Sequence, residues 1–227
     1  MGRAKEIIVK VIPSKIANEF VKKYHYSGKI VDMSCLHFGA FLDEKLHGVM
    51  SFGPPMDKRL ALNMVDTGVY DFNKKWNEML ELNRMAFDDY LPRNSESRCI
   101  SIAIKLIKKN APQVKWILSY SDGTQCGDGT IYRASGFHLT QINKNATIVK
   151  LKDGRIVARR GNSSYDFEGS KKLLGTQNRY IFLIDKSCKI NVPIIPYSMI
   201  DELGVGMYKG KKISIQERKE KWEEQKK

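Results

Sequence analysis

The sequence predicts an α+β fold that continues into a basic, β-rich extension towards the C-terminus. Three observations carry that prediction. Strand-length apolar runs alternate with two helix-length amphipathic runs over the first part of the chain. Two apolar runs, His37 to Leu42 and Leu46 to Gly53, flank Asp43-Glu44-Lys45, a hairpin signal. From His138 onward one strand-like run follows another. A chain of 227 residues with 42% hydrophobic content is long enough for a real core. The expected division is a core over 1–143, a basic β extension completing the sheet over 144–190, and a peripheral tail over 191–227.

In order, Glu6 to Ile12 is β-branched and reads as a strand. Pro13-Ser14 opens a helix, with Ser14 as N-cap and Ile16, Phe20 and Tyr24 on one face. It runs out at His25-Tyr26-Ser27-Gly28, where Gly28 serves as the left-handed cap residue. The aromatics and hydroxyl gathered there either line a cleft or pack, with His25 solvated. Gly39 and Gly48 inside the hairpin strands mark close approach of a ligand or another backbone. Gly53-Pro54-Pro55 forces a rigid, extended exit. Residues 60–77 show no clear period and read as a loop or short helix.

Leu80 to Phe87 is a strand whose alternation breaks near Asn83-Arg84, which predicts a bulge. A buried Arg84 requires an acidic or anionic partner, and Glu81, Asp88 and Asp122 are structural candidates. The loop Leu91 to Ser97 leads into a helix with Ile100, Ala103, Ile104 and Ile107 on one stripe. Its N-terminus should present backbone N–H groups and hydroxyls, a ready anion site. Val114 to Gly123 reads as a buried strand, and Ile131 to Phe137 as a short helix ending in Gly-Phe. His138 to Ile142, a hairpin turning at Asp153-Gly154, and Asn178 to Lys186 supply further strands. The mixed charges of Ser214 to Lys227 sit at helical spacing.

No apolar run approaches the roughly 20 residues a membrane span needs, and no signal pattern opens the chain. A soluble, intracellular protein with no membrane partner is expected. The four cysteines are widely spaced with no CxxC, which favours reduced thiols over zinc. Charge is more telling: the net is +14 and the pI about 9.5. Between Lys144 and Lys189 stand 11 Lys and Arg against 4 Asp and Glu, half of the excess in a fifth of the chain. That suits a polyanion, most simply nucleic acid.

The strings HYSGK (His25 to Lys29), LHFGAFLDEKLHGVMSFGPP (Leu36 to Pro55), ELNRMAFDDYLPRNSES (Glu81 to Ser97) and SDGTQCGDGTIYRASGF (Ser121 to Phe137) carry a resemblance. With the element order, they resemble the GCN5-related acetyltransferase (GNAT) superfamily and, more narrowly, the Mom family of bacteriophage DNA-modification proteins. The resemblance covers roughly residues 5 to 185. It implies a GNAT-like mixed, mainly antiparallel sheet with flanking helices, the catalytic core being 1–143. The implied activity is conversion of adenine in duplex DNA to N6-(carbamoylmethyl)adenine, protecting phage DNA from restriction in the cytoplasm of the infected host. The implied catalytic residues are His25, Tyr26, Arg84, Ser97, Asp122 and Tyr132. Asn83, Asn94, Ser95, Ser97 and Arg98 are implied donor-binding residues. Phe52, Tyr26 or His25 would stack on an extruded base. Lys144, Lys150, Arg155, Arg159, Arg160, Lys171 and Lys172 would join Phe52 in holding DNA. Iron at His25, Tyr26, Asp122 and Tyr132 is an alternative to plain hydrogen bonding.

Where ordinary acetyltransferases carry glycines in the pyrophosphate loop, this chain has Asn94-Ser95-Glu96-Ser97, and an inward Glu96 would repel a diphosphate. The activated donor therefore stands open between acetyl-CoA and glycyl-tRNA. Glycylation of N6, attack of the new amine on C6 through a five-membered ring, and expulsion of the amide nitrogen would leave N6-CH2-CO-NH2. In this scheme Asp122 takes the N6 proton or orients a base, Tyr132 donates to the leaving group, and Arg84 with Ser97 stabilises the oxyanion. The rival readings are a GNAT acting on a protein or small molecule, and an inert basic DNA-binding protein.

Overall fold

The computed structural model describes residues 3–123, 129–145, 148–159, 165–173, 175–202, 207–208 and 211–212. Strand β1 (Ile8–Val11) leads into helix α1 (Ser14–Tyr24) and the hairpin of β2 (Leu36–Leu42) and β3 (Lys45–Gly53). The segment that follows holds α2 (Lys58–Leu62), the short β4 (Val65–Asp66) and α3 (Phe72–Lys75), and precedes β5 (Met79–Phe87). Next come α4 (Ser95–Asn110), β6 (Trp116–Asp122), α5 (Thr130–Ala134) and β7 (His138–Asn145). The chain then forms β8 (Ile148–Lys150), β9 (Ile156–Ala158), β10 (Lys171–Lys172), β11 (Gly175–Leu183), β12 (Lys189–Ile190) and α6 (Ser198–Glu202). Arg160, Cys126 and the expected helix over Ser214 to Lys227 lie outside the described residues.

The strand order of the main sheet is β1-β2-β3-β5-β6-β11-β7. The ladders from β1 through β5 are antiparallel and β5 pairs with β6 in parallel, the mixed, mainly antiparallel arrangement expected. The chain forms two compact units. The first is Met1–Ser119, Ile131–His138 and Tyr180–Ile194, and the second is Tyr120–Thr130, Leu139–Arg179 and Ile195–Lys227.

In the first unit, α1 begins with Pro13 at the N-cap, and Ser14 is the first helical residue with no capping bond from the cap side chain. Its buried stripe is Ala17, Phe20 and Val21, packed with Ile12, Val49 and Ala86. Ile16 and Tyr24 stay 45% and 39% exposed, which corrects the predicted face. The reason is geometric: positions four apart drift about 40° round a helix of 3.6 residues per turn, so a line through Ile16, Phe20 and Tyr24 spirals off the contact. Gly28 is left-handed (φ 60°), yet it closes a turn onto the His25 carbonyl and does not cap the helix, whose C-cap is His25.

The β2–β3 hairpin turns on two residues, Asp43 and Glu44, both with positive φ (49° and 62°), the primed turn that suits twisted strands. Neither is glycine. Arg3 and the Tyr90 hydroxyl hold the Asp43 carboxylate at 2.5 and 2.6 Å and so help fix the turn. The close approach at Gly48 is the Phe87 ring, and at Gly39 the Leu46 and Phe41 side chains, rather than ligand or backbone. In α4 the predicted stripe of Ile100, Ala103, Ile104 and Ile107 is buried together with Cys99. Burial pushes the Cys99 thiol up to about 12, and Cys35, Cys99 and Cys188 are all free thiols.

In the second unit, β8 and β9 pair across a turn with Gly154 at φ 87°, as the Asp153-Gly154 signal predicts. β10 pairs on the other side of β8, giving a three-stranded sheet, β10-β8-β9.

Candidate active site

Helix α1 covers its sheet face as far as Val21. Beyond its end the face turns polar. His37, Ser51 and Arg84 are direct cross-strand partners on β2, β3 and β5, so their side chains stand on one face. His37 Nδ1 lies 2.8 Å from Ser51 Oγ. Arg84 is half-buried and reaches the turn after α1. Its Nε donates to the Lys29 carbonyl and one terminal nitrogen to the Asn83 carbonyl, each at 2.8 Å. The cation thus ties strand β5 to the His25–Lys29 turn.

In that turn His25 and Tyr26 pack ring on ring, with centroids 4.3 Å apart. The Ser27 amide donates to His25 Nδ1 (3.2 Å), and the Ser27 hydroxyl lies 2.8 Å from the same nitrogen. An accepting Nδ1 places the ring proton on Nε2. Burial and the Arg84 charge lower His25 to about 4, so the ring is neutral at pH 7 and offers a donor at Nε2. Because the folded value lies below the ordinary one, protons favour the unfolded chain between the two. This contribution is complete above about pH 6.5 and is lost as pH falls towards about 4. It amounts to at most about 3 kcal/mol, less for a partly exposed ring. His25→Gln is therefore expected to flatten the fall of Tm between about pH 7 and 4.5; curves parallel to wild type would contradict it.

The predicted bulge is present. Ser51 faces Arg84 and Phe52 faces Leu82, which leaves Asn83 as the extra residue of β5. Asn83 is buried, and its Oδ1 accepts from Ser34 Oγ at 3.0 Å. Gly53 makes this fit: an added Cβ would lie 2.6 Å from the Met33 carbonyl and 2.8 Å from Asn83 Oδ1. Glu81, partner of Gly53, shares the polar face, and burial raises its carboxyl above the ordinary range against the pull of Asn83 and Arg84. Sequence reasoning gave Glu81 only as an ion-pair partner; a raised carboxyl beside a guanidinium makes it a further candidate acid–base group.

The Tyr-x-x-x-Gly-Phe string is a helix stop. Phe137 N–H bonds the Tyr132 carbonyl and Gly136 N–H the Arg133 carbonyl, with Gly136 left-handed at φ 81°, a Schellman pattern. Its hydrophobic contact joins Phe137 to Tyr132, edge-on at 5.4 Å. Tyr180 stacks on the other contact surface of Tyr132 at 4.2 Å, and only 7% of Tyr132 is exposed. The parallel β5–β6 ladder ends at Leu82 and Ser119. There Ser119 Oγ lies 3.0 Å from the Tyr132 hydroxyl and 3.3 Å from the Leu82 carbonyl. Tyr132 is thereby held where the two strands part.

The start of α4 departs from expectation. Asn94, left-handed at φ 67°, makes no side-chain cap. Ser95 is buried with its hydroxyl donated to the Pro92 carbonyl, and Ser97 donates to the Asn94 carbonyl at 3.2 Å. The hydroxyls are turned onto the loop, which removes the Ser95 side chain from the expected donor-binding set. Arg98 bonds the Lys5 carbonyl at 3.3 Å. Phe52 is also corrected: it is fully buried, edge-on to Phe38, with no face for a base.

In the second unit Asp122 is half-buried at the end of β6. Asn178, on β11, is fully buried, and neither of its amide atoms has a partner among the described residues. Lys150 and Lys171, both exposed, are direct cross-strand partners, and Lys144 and Lys172 are exposed too. Arg155 is tied to Asp153 at 2.6 Å, and Arg159 lies 5.5 Å over Phe167. Iron does not fit His25 and Tyr26: Nδ1 is occupied by Ser27, and the Arg84 cation repels a metal. Among the described residues no three His, Cys, Asp or Glu come together as ligands.

A mixed sheet whose parallel step between β5 and β6 spans a loop-started helix, followed by the Tyr132 helix, is the GNAT-like fold that the resemblance implies. The sequence profile of the Mom protein family matches residues 6–199, and the chain belongs to that family. Over 139 residues it is 37% identical to the methylcarbamoylase Mom of Escherichia phage Mu, covering 59% of this chain and 53% of that protein. The chain spans about half the length of that relative. Similar solved structures include a Bacillus subtilis acetyltransferase in complex with CoA (13% identity, 78% of this chain and 98% of that one, TM-score 0.48). The Escherichia coli ribosomal-protein-S18-alanine N-acetyltransferase is another (12%, 79% and 94%, TM-score 0.48). No described helix is long and apolar enough to cross a membrane.

Proposed function

We propose that this chain is a transferase that converts adenine in duplex DNA to N6-(carbamoylmethyl)adenine and so protects phage DNA from host restriction. The family match over residues 6–199 carries the reading, and the name of the phage Mu relative supports the group transferred. In the first unit, Arg84 stabilises the oxyanion and Tyr132 protonates the leaving group. In the second, Asp122 receives the N6 proton. Neutral His25 serves as a hydrogen-bond donor or stacking surface rather than as the base. The donor is an activated glycine: a glycyl carbonyl leaves a free amine that can rearrange through C6. Labelled glycine that leaves no label in the modified base removes this donor.

The test of the function is direct. The chain is co-expressed with a plasmid, the DNA is digested to nucleosides, and their masses are measured. A new adenine derivative of the carbamoylmethyl mass is expected; unmodified adenine overturns the reading.

The basic sheet of the second unit supports DNA as acceptor. Like charges directly opposite on neighbouring strands disfavour the sheet, and a phosphate between Lys150 and Lys171 relieves that repulsion. Neutralising both as Lys150→Gln and Lys171→Gln is expected to reduce the slope of log K against log salt by about 1. Arg155→Gln should change it less, because Asp153 already engages that guanidinium. An unchanged slope in the double variant would remove these lysines from the DNA contact.

A further inference from the structure

The segment between β3 and β5 exposes aromatic surface that the fold does not need. Tyr70 is 85% exposed and Phe72 50%. They are not frayed residues. Leu62, Met64 and Val65 are buried beneath the segment, and β4 is paired with β12 through Val65–Ile190 and Asp66–Lys189. Thr67 donates to Glu78, whose other oxygen accepts Lys115 at 2.8 Å, and Lys115 also donates to the Thr67 carbonyl. Large rings on a fixed platform mark a contact surface.

Their surroundings define the contact. Arg59, Leu62, Asn63, Tyr70, Phe72 and Lys75 line a groove of about 400 Å³. That is within the range of small-ligand pockets, roughly 300–1,000 Å³. The nearby acids are occupied as helix caps: Asp57 accepts from the Leu60 amide at 3.0 Å and Asp71 from the Asn73 amide at 2.9 Å. Among the described residues no carboxylate lies within ion-pair distance of Arg59 or Lys75. Two cations beside exposed ring faces are complementary to a group that is both aromatic and anionic.

We infer that this groove binds an unpaired nucleotide of a nucleic-acid strand, its base stacked on Tyr70 and its phosphate held by Arg59 and Lys75. A base inside a duplex has both faces covered by its neighbours and cannot use the ring. The choice of occupant rests on the nucleic-acid reading above, while the groove lies on different elements from the His25 and Arg84 cluster. An acidic protein would engage the cations but has no use for the stacking face.

The experiment uses the full chain and a fluorescently labelled single-stranded DNA 12-mer, with affinity followed by anisotropy at several salt concentrations. Tyr70→Ala is expected to weaken binding about tenfold and Tyr70→Phe to leave it near wild type. Arg59→Gln with Lys75→Gln should lower the salt slope by about 1. Wild-type affinity and slope in Tyr70→Ala and in the double variant overturn the inference, as does an equal loss in Tyr70→Phe. All three residues line the groove, and melting curves confirm that each variant folds. Plasmid modification separates this outcome from the function above. A chain that modifies adenine but binds the 12-mer independently of these residues loses the groove alone. A chain that binds through the groove but leaves adenine unmodified loses the proposed reaction alone.

Discussion

Replacing Arg84 with lysine is expected to lower the yield of modified adenine about 100-fold, the scale of losing one transition-state donor, while the protein remains folded. Lysine keeps the charge but not the fork. Arg84 spends Nε on the Lys29 carbonyl and a terminal nitrogen on the Asn83 carbonyl. Its geometry is therefore set from both the turn after α1 and the bulge of β5. An ammonium is a point charge on a flexible stem and cannot span both carbonyls with the same direction. The lost bonds should destabilise the chain by about 1–3 kcal/mol, visible as a modest drop in Tm. Nucleoside masses from co-expressed plasmid and a thermal melt check both parts. Modification within threefold of wild type would reduce Arg84 to a tie between strand and turn.

Much of this geometry is legible in the sequence, for reasons local to particular residues. The bulge shows because Leu80, Leu82, Met85 and Phe87 break a two-residue period that a regular strand would keep. The Asp43-Glu44 turn shows because two strand-like runs leave room for almost nothing else. The α4 stripe shows because four apolar residues recur at helical spacing with lysines off the face. The Schellman stop is written in the spacing of Tyr132, Gly136 and Phe137.

What the sequence does not reveal depends on register or on coverage. His37, Ser51 and Arg84 form one row only after two antiparallel ladders are aligned, and nothing local links positions so far apart. Phe52 reads as an aromatic available to a base, because a strand's own pattern does not say that both sheet faces are covered. In β3 seven consecutive residues are buried, so alternation carries no information there. The neutral state of His25 follows from burial and from Arg84, 59 residues further along the chain. The hydroxyls in the first turn of α4 misled for a different reason: serine satisfies neighbouring carbonyls as readily as amides or phosphate. The Tyr70 groove is hidden because its segment has no period, although its exposed rings and cations are visible as composition.

Tyr132→Phe is expected to abolish modification to about 1% of wild type or less, within the range for loss of a positioned proton donor. The fold should hardly notice. The ring keeps its stack on Tyr180 and its edge contact with Phe137, and the Schellman bonds run through backbone atoms. Ser119 loses one neighbour but retains the Leu82 carbonyl within reach of its hydroxyl. No new buried orphan is created at the serine, so the expected stability change is about 1 kcal/mol or less. Gly136→Ala supplies the contrast. A Cβ at φ 81° is strained by about 1–2 kcal/mol, and relieving it would shift the turn that seats Phe137 against Tyr132. That variant should lose stability and activity together, whereas Tyr132→Phe loses activity alone. If Tyr132→Phe retains modification within threefold of wild type, the hydroxyl is a packing group at the parting of β5 and β6, and the proton donor must be sought among the other groups of the polar face, beginning with the raised carboxyl of Glu81.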